Sequence, residues 1–257
     1  MSGVLEEYSK NIGSVNLLRR SLVPSLIEVK RINEYRSNID VSLFEVAKVY
    51  LTVGEEVIPD QPTKLAVVSD RDFYSVKGVI ESLVLAISPA AELSITACSH
   101  DLLDASQSGE LSIGGERLGW IGQVSKSGRK QFGLRSDAIV AELDLAVLEK
   151  QAVMVPQHAS LSTFPPVSRD LNFIVDDAVR WGELESTVRS ACGELLESVE
   201  YRETFRNEKN DGPGKKRLLL SVVLRSATAT LTGKQADDVC QSIISDCKSK
   251  HAAALVG

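Results

Sequence analysis

Beyond Ser168 the chain breaks into segments whose order restricts the fold more than any other feature. A strand at 170–175 is followed by a helix at about 181–195, strands at 198–206 and 217–225, a helix at about 233–250 and a short tail strand. This βαββαβ order places two helices against one side of a single sheet and leaves the other side bare. Alternation along each strand then sorts the side chains. On the third strand Leu218, Leu220, Val222 and Leu224 face the helices, while Arg217, Leu219, Ser221, Val223 and Arg225 line the open face. Leu171, Phe173 and Val175 point inward on the first strand, which leaves Asn172 beside the open face. On the second, Arg202, Thr204 and Arg206 form the polar series. The last helix carries Ala236, Val239, Cys240, Ile243, Ile244 and Cys247 on one stripe, and Thr232 and Gln235 stand at capping-box spacing before it. Its cysteines are therefore core residues.

Upstream of a stretch holding Pro156, Pro165 and Pro166, a second pattern occupies the chain. A short helix at 24–33 precedes strand-like segments at 41–50 and 64–69. Between 73 and 88, Val76, Val79, Ile80, Leu83, Val84 and Ile87 recur at helical steps. Segments at 111–113 and 117–124 flank Gly114 and Gly115, a pair suited to a hairpin turn. A polar, glycine-containing stretch at 125–137 leads to a last strand at 138–143 and a turn or two of helix at 144–150. With 257 residues and 43% hydrophobic content, the chain fills two ordinary cores. The expectation is an α+β protein of two domains, 1–152 and 169–257, joined by a proline-containing linker at 153–168.

Composition narrows the chemistry. The formal net charge of −6 excludes a protein that coats nucleic acid by bulk electrostatics, so any RNA partner must meet one restricted surface. No apolar run is long enough to cross a bilayer, and Glu6 and Glu7 stand where a secretory leader needs apolar residues, so a cytoplasmic protein with no membrane partner is expected. Four cysteines without a CxxC pair and three distant histidines suggest neither a metal site nor a disulfide framework. Gly114, Gly115, Gly119 and Gly122 lack the strand-loop-helix context of a phosphate loop. His100 beside Asp101 has no nucleophile tied to it, and Trp120 and Trp181 read as packing anchors, so no catalytic residue is assigned.

The run FPPVSRDLNFIV at 164–175, with LLESV at 195–199, GKK at 214–216 and TLT at 230–232, resembles the ferredoxin-like anticodon-binding domain of the bacterial phenylalanyl-tRNA synthetase beta subunit. Upstream, LRRSLVPSL at 18–26, LFEV at 43–46, DFYSVKG at 72–78, GWIG at 119–122 and ELDL at 142–145 resemble the preceding module of that subunit. The resemblance implies a class II synthetase-like mixed or antiparallel sheet with helices that has lost catalysis, followed by a βαββαβ sandwich. It also implies an alpha-subunit partner in an assembly of two alpha and two beta chains, phenylalanine tRNA as ligand, and ATP and magnesium as cofactors of the intact enzyme only. Class II sites clamp the adenylate phosphate with an Arg two residues before an acid; here Leu43 stands two before Glu45. The later ATP-binding helix lacks its Gly and Arg in 142–150. The chain by itself is therefore expected to be inactive. The family's beta chain is far longer, which favours a piece of a longer protein over a naturally short paralogue.

On this reading, Asn172, Arg202, Arg206, Arg217 and Arg225 supply hydrogen bonds and stacking planes to a splayed RNA loop, and Lys215 and Lys216 meet phosphates. Arg169 is either a further RNA contact or the partner of a nearby carboxylate. The bland alternative for each is a solvated surface charge. Two other functions compete: a stand-alone ferredoxin-like regulatory module binding a small amino acid, and a scaffold docking a protein. Asp176 and Asp177, after the first strand, repel an amino-acid carboxylate and weigh against the former.

Overall fold

The computed structural model describes residues 18–52, 58–89, 91–153, 155 and 162–256. The chain falls into two compact units, Met1–Pro156 and Gln157–Gly257. Residues 154 and 156–161 of the linker expected at 153–168 lie outside the described residues, and the first strand of the second unit begins within it, at Val167.

In the first unit, β1 (Ser42–Lys48), β2 (Thr63–Ser69), β3 (Leu93–Thr96), β4 (Leu103–Ile113), β5 (Glu116–Val124) and β6 (Ile139–Asp144) form an antiparallel sheet in the order β1-β2-β6-β5-β4-β3. Both faces are covered. Helix α1 (Val23–Tyr35) and α3 (Lys126–Phe132) close one face, with Leu22, Leu26, Ile27 and Phe132 packed with Ala66, Val68, Val140 and Trp120. Helix α2 (Phe73–Ile87) and α4 (Leu145–Gln151) close the other, where Val76, Ile80, Val84 and Leu148 meet Ile121, Ala141 and Leu143. Gly114 and Gly115 turn the β4–β5 hairpin at φ +56° and +78°. Gly119 lies inside β5, where an added Cβ would stand 2.0 Å from the Glu142 carbonyl oxygen; strand packing, not phosphate binding, explains it.

Two elements and the start of a third go beyond what local pattern announces. Helix α3 sits in the polar stretch, capped by Ser125, which accepts from the Gly128 N–H at 3.1 Å, and ended by Gly133 at φ +68°. Strand β3 is new, and β4 begins at Leu103 because an irregular register between Leu103 and Ser108 carries polar residues along an edge that local pattern does not mark as strand.

Two polar groups are built into this unit's α1 side. The Glu142 carboxylate accepts from the Ser21 hydroxyl at 2.7 Å and the Leu22 N–H at 2.8 Å, so a strand residue caps a helix whose own N-cap supplies no side-chain acceptor. Burial raises its carboxyl above the usual range. Lys30 is 0% exposed and reaches Asp70 at 2.6 Å, Ser136 at 2.8 Å and Glu34. Burial alone would raise the Glu34 carboxyl, but the Arg135 N–H, Lys30 and Ser136 outweigh it and hold it at about 2.

The second unit has the strands β7 (Val167–Asp176), β8 (Leu196–Phe205), β9 (Lys215–Leu224) and β10 (Ala254–Leu255) in the order β10-β7-β9-β8. Helix α5 (Trp181–Cys192) and α7 (Gly233–His251) cover one face, and a single turn, α6 (Glu208–Asp211), interrupts the β8–β9 connection. Leu171, Phe173, Val175, Leu218, Leu220, Val222 and Leu224 join Leu184, Val188, Ala236 and Ile243 in one core. Thr232 and Gln235 form the capping box of α7. Cys192 and Cys247 belong to this core, and burial pushes their thiols up to about 11, which leaves them neutral packing groups at neutral pH.

Lys30→Met is expected to destabilise the first unit by about 3–5 kcal/mol, since Glu34 and Asp70 then lose their cation in place. Urea denaturation followed by Trp120 fluorescence in a Trp181→Phe background measures it. Because the Glu34 carboxyl is held below its ordinary value of 4.5, its contribution is complete above that value and is lost as pH falls toward about 2. Glu34→Gln should therefore flatten the acid limb of the same unfolding curve, and an unchanged limb would remove Glu34 from the acid response.

Candidate nucleic-acid interface

Antiparallel pairing in the second unit sets residues of three strands side by side on the face away from α5 and α7. Asn172, Leu219 and Glu203 form one cross-strand row, and Ile174, Arg217 and Phe205 the next. The two rows frame a pocket of about 340 Å³ lined by Asn172, Glu203, Phe205, Arg217 and Leu219.

Phe205 reaches this face through an irregularity in β8. Val199 opposes Val222 and Tyr201 opposes Leu220 on the helix side, but the register shifts between Tyr201 and Glu203, so Glu203 opposes Leu219 and Phe205 opposes Arg217. The extra residue is Arg202, and beyond it inside and outside exchange. The expectation that Arg202, Thr204 and Arg206 share the open face fails for this reason. Thr204 opposes the buried Leu218 and accepts from the Tyr201 hydroxyl at 2.9 Å, while Arg202 sits at the bulge beside Glu200 at 3.1 Å. Arg206 follows the strand's end and pairs with Asp177 at 2.8 Å.

Of the other residues that the sequence assigns to RNA, Asn172, Arg217 and Arg225 share the open face. Arg225 is held by Glu197 at 2.8 Å and the Ser162 carbonyl at 3.2 Å. Lys215 pairs with Asp176 at 3.1 Å. Lys216 has the parity of Leu218 and lies on the helix side; its ammonium donates to the Asp177 carbonyl at 2.8 Å, and burial lowers its pKa. Arg169 also lies on the helix side, donating to Asp237 of α7 at 3.1 and 3.2 Å, so of the two roles open to it the carboxylate partner is the one formed here.

Arg217 is placed differently from these exposed pairs. Its Nε and Nη2 donate to the two carboxylate oxygens of Asp211 at 2.8 and 2.6 Å, and the Asp211 side chain is only 1% exposed. Hydrogen bonding to Arg217 holds the Asp211 carboxyl below the usual range and raises the guanidinium in return. Beside it, Asn172 Oδ1 is buried without a hydrogen-bond partner. Phe205 is 50% exposed. The pocket thus offers an aromatic ring, a fixed planar donor and the Glu203 carboxylate, with the Asn172 amide in its lining, a set suited to a flat polar ring. Phe205, Glu203, Leu219 and Asp211 are absent from the sequence assignment. A signal for the bulge was present: an unbroken strand with Val199 inward turns Glu203 into the core.

In the first unit, Leu43 packs with the α1-side core, and Glu45 accepts from Arg19 at 2.7 Å. His100 stacks on Trp120 with ring centroids 4.5 Å apart, and burial lowers its pKa. Among the described residues no group of three His, Cys, Asp or Glu side chains could hold a metal ion, and no helix is long and apolar enough to cross a membrane.

Comparison with known proteins gives two family matches. A family model described as the phenylalanyl tRNA synthetase beta chain CLM domain matches residues 13–145, and one described as a ferredoxin-fold anticodon binding domain matches 162–255. A phenylalanine–tRNA ligase beta subunit of Rhodopirellula baltica is 36% identical over 98% of this chain and 38% of its own length. Those of Xanthomonas campestris pv. campestris and Bacillus cereus are 30% and 28% identical, over 94% and 93% of this chain and 32% and 31% of their own lengths. The chain thus spans about a third of the length of these curated relatives. A solved pyrrolysyl-tRNA synthetase from Desulfitobacterium hafniense aligns at 15% identity over 51% of this chain and 47% of its own, with a TM-score of 0.40, too slight to bear on function.

Proposed function

The chain belongs to the phenylalanyl-tRNA synthetase beta chain family, and from that premise we propose that it serves as a non-catalytic part of phenylalanine–tRNA ligase, binding the anticodon region of phenylalanine tRNA through its second unit. The observation that carries this reading is the pocket on the helix-free face of the anticodon-binding domain, lined by Asn172, Glu203, Phe205, Arg217 and Leu219. A single-stranded loop presents unstacked bases, and a base in the pocket stacks on Phe205 while its edge meets Arg217 and Asn172. The revised contact set is therefore Asn172, Glu203, Phe205, Arg217 and Leu219, with Arg225 and Lys215 at the margins of the same face. Arg169 and Lys216 lie on the other face and drop out.

The first unit, in this reading, meets the alpha subunit in a cytoplasmic assembly of two alpha and two beta chains. Its edge strand β1 exposes Phe44 and Val46, an apolar surface of the kind that a partner chain covers. ATP and magnesium belong to the intact enzyme. In this unit Leu43 is an apolar core side chain, Glu45 is bound by Arg19, Glu142 caps α1, and Leu22, Val23 and Ile27 are fully buried against the sheet. A triphosphate there would meet apolar and acidic groups and a cation, Arg19, already committed to Glu45.

Phe205→Ala is expected to weaken binding of an anticodon stem-loop RNA by about 1–3 kcal/mol, whereas Arg202→Ala leaves it nearly unchanged at fixed salt. Fluorescence anisotropy with a labelled stem-loop measures both, and wild-type protein that ignores the stem-loop overturns the RNA-binding role. The purified chain is also expected to give no phenylalanine-dependent exchange of pyrophosphate into ATP; measurable exchange would overturn the claim that it is non-catalytic.

A further inference from the structure

An arginine can serve RNA in two ways. As a mobile charge it neutralises phosphate and gives affinity that falls with salt; as a fixed planar donor it reads a base edge. The structure holds Arg217 in a form that fits only the second. Both oxygens of Asp211 are engaged by its Nε and Nη2 at 2.8 and 2.6 Å, and the carboxylate is 1% exposed beneath it. The pair is close to electrically neutral, and the fork-to-fork geometry fixes the guanidinium plane. Its other donors remain for a ligand. Asp211 closes the single turn α6, and Gly212 and Gly214, at φ +87° and +70°, carry the chain from it into β9, so the acid and the arginine are joined by a six-residue span. Asn172, whose Oδ1 is buried without a hydrogen-bond partner, lines the same pocket.

Resting on the RNA-binding role above, we infer that Asp211 is a positioning residue, cancelling the charge of Arg217 and fixing its plane so that the pocket discriminates between bases instead of attracting phosphate. Other cations on this unit are tied more loosely. Lys215 and Arg206 make solvent-exposed pairs with Asp176 and Asp177, each to a single carboxylate oxygen. Such pairs exchange carboxylate for phosphate at little cost, so the salt dependence of binding should come from them. Arg217 and Asp211 contribute selectivity.

The test uses the full chain, an anticodon stem-loop RNA of phenylalanine tRNA, and the same stem-loop with each loop base replaced in turn, titrated over a range of salt. Asp211→Asn releases the cation. The slope of log K against log salt should steepen by about 0.7, one added single-strand phosphate contact, while discrimination between loop bases falls about tenfold. Asp211→Glu, which restores a carboxylate, should recover part of the discrimination. Arg217→Gln should lose discrimination with the slope unchanged, and this variant decides the matter if Asp211→Asn fails to fold by circular dichroism. Unchanged slope and discrimination in folded Asp211→Asn, or a slope made shallower by Arg217→Gln, would overturn the inference. Wild-type protein that does not bind the stem-loop would instead remove the RNA-binding role itself.

Discussion

Helices α5 and α7 of the second unit pack on one face of a four-stranded sheet, and much else about this protein depends on that asymmetry. A sheet's faces are chemically coupled, because each residue placed toward the helices sends its neighbour to the opposite side. Filling the core with Leu218, Leu220, Val222 and Leu224 therefore also chooses what the other face offers. Most of that face is ordinary polar surface. The exception is the end near β8, where one inserted residue turns Phe205 outward and opens a pocket beside Arg217. A single bulge aims an aromatic ring out of the sheet without disturbing the core beneath.

Charge is placed with the same selectivity. The chain is acidic, with a formal net charge of −6, and the cations that the sequence offers as RNA contacts mostly lie within reach of a carboxylate or carbonyl oxygen. At the exposed pairs solvent screens the attraction, and a phosphate can replace the acid. At Arg217 the acid is buried and the fork is complete, so replacement is costly and geometry is retained. An acidic body with a few exchangeable surface pairs and one fixed donor plane has little attraction for nucleic acid in general. On the RNA-binding reading proposed above, selectivity rests on shape and edges, which suits recognition of one loop over many others.

The first unit solves the opposite problem. Its sheet is covered on both faces, so polar groups that enter must be satisfied within the protein. Glu142 meets this demand by capping α1, and Lys30 by gathering Glu34, Asp70 and Ser136 around its ammonium. These contacts tie α1 to β6, to the end of β2 and to the segment before β6, so the helix is pinned by polar groups as well as by Leu22, Leu26 and Ile27. The same filling leaves apolar and acidic groups on the α1 side of this sheet.

How much of this could be read from residues alone depends on the range of the interaction involved. The periodicity of Val76, Ile80 and Val84, the glycine pair of the β4–β5 hairpin, the capping box at Thr232 and the inward series of β7 and β9 are all written within a few residues, and each appears in the fold. Helix α3 and strand β3 escaped because such short elements carry little periodic signal. The open face was legible in outline, through Asn172, Arg217 and Arg225. Its parity on β8 was not, because a bulge is settled by pairing with β9 and not by the propensities of β8 itself. Arg169 with Asp237, and Lys30 with Asp70, likewise join residues distant in sequence. Sequence by itself determined the elements, their order and which side of most strands is apolar, since these follow from local spacing and chain stereochemistry. Only the tertiary structure decided which cations are committed to carboxylates and which ring lines the pocket, because register and ion pairing are chosen by the packed whole.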